Sequence, residues 1–125
     1  MWLITPVGFF SIVEKPEDRK RDVLTIRARV RSDLAALKTA FLPALGRISE
    51  STDTDYRYRA KAPRAAVSKA TAEMIGSLRY SNFKSEVAAR QGAARAHLYH
   101  DVWDALYQLQ GNPAFEAARR SGRAQ

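Results

Sequence analysis

Residues 23–31, VLTIRARVR, divide into two sets when every second residue is taken. Leu24, Ile26, Ala28 and Val30 are apolar, whereas Thr25, Arg27, Arg29 and Arg31 are polar, three of them cations. Residues 56–62, YRYRAKA, repeat the pattern, with Tyr56, Tyr58 and Ala60 set against Arg57, Arg59 and Lys61. A period of two belongs to a β-strand with one face buried. A helix would scatter the same residues around its circumference. Two half-exposed strands oblige the rest of the chain to cover their apolar sides.

The remaining segments supply that cover. Residues 3–13 are apolar at both parities and rich in Ile, Val and Phe, which reads as a strand buried on both faces. Pro6 has no N–H for a ladder, so the regular part is expected to start after it or to carry a bulge. EKPEDRKRD (14–22) is a charged turn with a proline breaker. Ser32 caps a first helix, with Asp33 in its first turn and Leu34, Leu37, Phe41 and Leu45 at helical spacing; Pro43 ends it near Leu42. Residues 46–55 form a polar loop. Pro63 suits the first turn of a second helix with Val67, Thr71, Met74, Ile75 and Leu78 on one face. Ser81 or Asn82 caps a third helix that Gly92 stops. A fourth runs from about Ala94 to Gln110, with Leu98, Val102, Leu106 and Leu109 on one stripe and Tyr99, Trp103 and Tyr107 on the next.

These elements predict an α+β fold: a three-stranded antiparallel or mixed sheet with about four helices. A hairpin makes the first two strands antiparallel. A strand–helix–strand crossover makes its own two strands parallel. The simplest sheet then has the order 2-1-3, the doubly apolar strand lying between two alternating ones, a partly ferredoxin-like arrangement. Residues 1–110 form a single domain and 111–125 a basic tail that is expected to fray.

On this plan Arg27, Arg29, Arg31, Arg57, Arg59 and Lys61 share one sheet face with Phe9. Cations bracketing an aromatic are how open sheets hold nucleic acid, bases stacking on the ring and phosphates meeting the cations. Charged edge strands also serve simply to prevent edge-to-edge aggregation. Burying unpaired arginine costs several kcal/mol. The last two helices are therefore expected at an end of the sheet, beside the first two helices, or over Phe9 and Val7 only. The formal net charge of +8 suits a polyanion or an acidic protein partner. Tyr80, Asn82, Lys84, His97 and His100 form a second polar group. Within it His97 with Asp101, and His100 with Asp104, stand at i, i+4 spacing. No third ligand at a metal-binding spacing and no Gly-rich phosphate loop accompanies them, so neither a metal nor a cofactor is expected. The absence of cysteine removes disulfides, thiolate metal sites and cysteine nucleophiles. The apolar start, MWLITPVGFFSIVEK, lacks a basic leader and is interrupted by Pro6 and Gly8. A cytoplasmic protein is expected.

Three functions follow in order: a non-enzymatic nucleic-acid or polyanion-binding module using the basic face; an adaptor or inhibitor presenting that face to an acidic protein; and an enzyme acting on a phosphorylated substrate near Tyr80, Asn82, Lys84 and His100. Oligomeric state is left open.

Taken together, MWLIT, GFFS (8–11), TDYRYR (54–59), YSNFK (80–84) and HLYHDVW (97–103) resemble the pattern of a group of small bacterial hypothetical proteins. The resemblance spans residues 1 to about 109. It implies a cytoplasmic bacterial single domain, and it brings no catalytic residue with it.

Overall fold

The computed structural model describes residues 1–117. Its centre is a five-stranded sheet in the order β1-β2-β3-β5-β4, every neighbouring pair antiparallel. The strands are β1 (Trp2–Thr5), β2 (Gly8–Val13), β3 (Val23–Ala28), β4 (Ser49–Glu50) and β5 (Tyr58–Pro63). Five α-helices accompany them: α1 (Arg31–Ala40), α2 (Arg64–Gly76), α3 (Phe83–Gln91), α4 (Ala93–Tyr107) and the short α5 (Pro113–Ala117). A 3-10 turn, Pro16–Arg21, joins β2 to β3.

The fold class agrees with the sequence, but three details differ. First, the doubly apolar segment is a hairpin. Pro6 and Val7 form its turn, because the Thr5 hydroxyl accepts from the backbone N–H of Val7 (3.1 Å) and Gly8 (3.2 Å) while donating to the Gly8 carbonyl (3.0 Å). Second, β3 sits between β2 and β5, so the alternating strand, and not the doubly apolar one, is central. Third, the strand after α1 that runs parallel to β3 is β4, two residues inside the expected polar loop. The chain then reverses, and β5 inserts antiparallel between the two. The expected parallel relation of residues 23–31 and 56–62 therefore does not hold: β3 and β5 are antiparallel neighbours, and the 2-1-3 order is not formed. The expected tail begins with a helical turn, α5; residues 118–125 lie outside the described residues.

The inner face of the sheet carries Phe10, Ile12, Ile26, Ala28, Ala60 and Ala62. These pack with Leu34, Leu37, Leu42 and Leu45 from α1 and the segment after it, and with Val67 and Ala70 of α2. Each large aliphatic or aromatic side chain buried here contributes roughly 1.5–3 kcal/mol. A second, smaller cluster forms on the opposite face. There α3 and α4 fold into a helical hairpin whose Val87, Ala96 and Tyr99 enclose Phe83 and rest on Ile4 and Phe9. Asn82 starts α3, its side-chain oxygen accepting from the Ser85 backbone N–H at 2.8 Å. Gly92, at φ +95°, makes the bend into α4. The hairpin therefore occupies one end of the outer face.

Candidate polyanion interface

Register determines which side chains stand side by side. Trp2 pairs with Ser11, Ser11 with Arg27, Arg27 with Arg59 and Arg59 with Ser49. Directly opposed residues point to the same face. One row thus crosses all five strands on the outer face: Trp2, Ser11, Arg27, Arg59, Ser49. The next row toward the 3-10 turn holds Val13, Thr25 and Lys61. The helical hairpin covers Ile4 and Phe9 on the other side. The long row lies in the open band between them.

The cations of the two alternating segments fall into three groups. Lys61 and Arg57 are neutralised. Lys61 contacts the buried carboxylate of Asp18, bonds the Thr25 hydroxyl at 2.7 Å and lies 3.5 Å from Glu17. Burial works to raise the Asp18 carboxyl, but bonds from Lys61, the Lys15 backbone N–H and Thr25 outweigh it and hold the group below its ordinary value. Arg57 donates to Glu50 at 2.7 Å, which holds its guanidinium above its ordinary value.

Arg27, Arg29 and Arg59 form the second group. Among the described residues no carboxylate lies within ion-pair distance of any of them. Arg27 donates to the Ser11 hydroxyl at 2.7 Å, and Arg59 to the Thr54 hydroxyl at 3.1 Å and the Tyr56 carbonyl at 3.3 Å. Arg29 donates to the Asp55 carbonyl at 2.9 Å. Arg27 and Arg29 each lie 4.6 Å from the ring centroid of Tyr56. The Nε atoms of Arg27 and Arg59 are buried without a hydrogen-bond partner, an arrangement that costs about 1–3 kcal/mol per donor. Like charges directly opposed across a strand pair add a further penalty.

Arg31 stands alone in the third group. It opens α1 and does not continue the strand.

Tyr56 departs from the alternation that placed it on the inner face. The chain bends through residues 51–57, and Tyr56 turns to the outer side, where it is buried against Arg27, Arg29 and Phe9, 6.3 Å from the Phe9 ring. Phe9 is half-buried and packs with the helical hairpin, so it is a floor of the face and not an open stacking platform.

Two residues that sequence reasoning left out also belong here. Arg47 lines a depression of about 280 Å³ together with Lys15, Arg59 and Lys61, with Glu17 as its acidic member. It comes alongside because the Gly46 N–H bonds the Lys61 carbonyl at 2.8 Å, docking the polar loop onto β5. Trp2, at the far end of the row, is 68% exposed. No periodic signal marks either residue.

The second polar group is divided. Asn82 serves as the α3 cap, and Tyr80 packs its ring 6.2 Å from Phe83. Lys84 lies 2.7 Å from His100 Nδ1, and His100 Nε2 lies 3.6 Å from Asp104. His100, Trp103 and Tyr107 stack in series up one side of α4, at 5.5 and 5.3 Å. His97 is exposed on the helix, apart from them. Among the described residues no three His, Asp or Glu side chains come together as a metal site, and no helix is long and apolar enough to cross a membrane. An apolar cleft of about 320 Å³ lies elsewhere, between β1 and the C-terminal end of α2 with the residues that follow it.

No family model, no curated protein and no solved structure matches this chain.

Proposed function

We propose that this chain is a non-enzymatic module that binds a polyanion, nucleic acid foremost, through the outer face of its sheet. The supporting observation is the opposed pair Arg27 and Arg59. Two arginines stand directly opposed across β3 and β5 with no carboxylate to neutralise them, each keeping a buried donor unused. A fold tolerates such a pair poorly by itself, and an anionic group held between the two would relieve the repulsion. The planar guanidinium fork suits phosphate better than lysine would. Arg29 and Arg47 extend the positive surface on either side.

Anisotropy titration of a labelled oligonucleotide tests this reading. Each phosphate held on a single strand adds roughly 0.7 to the slope of log affinity against log salt. Three contacts should therefore weaken binding by about an order of magnitude between about 50 and 200 mM salt. The double variant Arg27→Gln, Arg59→Gln should lose the complex without lowering the melting temperature of the free protein. Unchanged binding by that variant, or no complex at the lower salt, would overturn the proposal.

A further inference from the structure

The geometry points to a more specific ligand, and this inference rests on the polyanion reading above: we propose that the face takes single-stranded nucleic acid, with one unpaired base on Trp2 and the adjoining backbone phosphate at Arg27 and Arg59.

Trp2 belongs to the same transverse row as the two arginines, two strands away from Arg27. Strands lie about 4.8 Å apart, which puts roughly 10 Å between the two backbones. The residue between them, Ser11, is short and buried, and it bonds Arg27 without rising between the indole and the guanidinium. The indole is also oriented. Its ring stands at 86° to Phe9, centroids 5.6 Å apart, while Trp2 remains 68% exposed. An edge-to-face contact of this kind holds the ring and leaves at least one of its faces open. A large apolar side chain left open and held in place has a stacking surface ready for a planar ligand.

Charge settles what else that ligand carries. A neutral aromatic would leave Arg27 and Arg59 unmet, and a simple anion would leave Trp2 unused. A nucleotide strand offers a π-face and a phosphate on one repeating unit, and base–aromatic stacking tolerates any sequence. The strand must be single because a base in a duplex is stacked and paired, with its faces closed to the protein. The flanks agree. The band between the row of Phe9 and that of Thr25 spans about four residues of strand, roughly 13 Å. It is bounded by α3 and α4 on one side and by the 3-10 turn on the other.

The chain contains two tryptophans, Trp2 and Trp103. A Trp103→Phe background, exposed and stacked on its helix, leaves Trp2 as the sole indole emitter. Three probes are titrated at low salt: a short thymidine oligonucleotide, a duplex of equal length and heparin. Only the thymidine strand should quench Trp2 emission. Trp2→Ala should weaken its binding at least about five-fold, the low end of one stacked base, and leave heparin binding unchanged; Trp2→Phe should restore part of the loss. Binding of the oligonucleotide that ignores Trp2→Ala but still fails in Arg27→Gln, Arg59→Gln would overturn the base contact and leave the polyanion reading standing. Quenching by the duplex equal to that by the single strand would overturn the choice of strand. Failure of all three probes to bind would remove both proposals together.

Discussion

Gly8 has no room for a side chain. A Cβ there would stand 2.6 Å from Asp33 Cγ. That carboxylate is buried at the start of α1, accepting from the Phe9 N–H at 3.0 Å and from Arg95 at 3.0 Å. Gly8→Ala must displace it, and stability should fall by about 1–3 kcal/mol in a denaturant titration. Gly76, by contrast, has open space around it, and Gly76→Ala should be neutral or slightly stabilising. Asp18 makes a separate prediction about acid. Its carboxyl is held below the ordinary 3.8, so the folded state favours the ionised form. The stabilisation is complete above pH 3.8, declines as pH falls past that value and is gone below the folded one. Asp18→Asn should therefore melt lower than the parent at neutral pH and show a flatter melting profile across that acid range.

At the scale of elements, α4 is longer than its support. Tyr99 and Ala96 are buried, but Leu98, Trp103, Leu106 and Tyr107 are each more than half exposed. The apolar stripe that sequence periodicity marks on this helix is in large part solvent-facing. Leu106→Gln should change the melting temperature little, since exposed substitutions usually stay within about 0.5 kcal/mol, whereas Val87→Ala should cost about 2 kcal/mol or more. This contrast shows what the sequence could and could not convey. Alternation in residues 23–28 was plain, because a half-exposed strand writes its two faces into the chain. The apolar run 3–13 read as one strand because both faces really are covered, by the inner core and by the helical hairpin, and the turn uses the Thr5 hydroxyl in place of an Asn-Gly signal. β4 was invisible, since two polar residues carry no period. The facing of Arg27 and Arg59 follows from alternation once the strands pair. Which cations are neutralised does not, because Glu50, Asp18 and Glu17 arrive from loops whose course no local pattern records.

For the whole molecule, the two clusters are unequal. The inner core is large, and the outer one is small and fastened at few points. Arg95 bridges α4 to Asp33 while also bonding Tyr99 one turn along its own helix, and Gln91 donates to the Pro6 carbonyl at 2.6 Å. Burial opposes the charge of Arg95, yet its bonds to Asp33 and Tyr99 hold the guanidinium above its ordinary value; burial likewise pushes the Tyr99 phenol up. Arg95→Ala leaves Asp33 with a buried charge and only a backbone partner, and should cost about 2–4 kcal/mol. Amide exchange should then quicken in α3 and α4 well before β2, β3 or β5, the order expected when a lightly anchored unit opens first.

The opposed arginines of β3 and β5 carry one more consequence. Mobile ions shield two like charges from each other just as they compete for a bound polyanion. Rising ionic strength should therefore firm the unliganded sheet at Arg27 and Arg59 while it dissociates the complex, so that the melting temperatures of the empty and occupied protein converge as electrolyte is added.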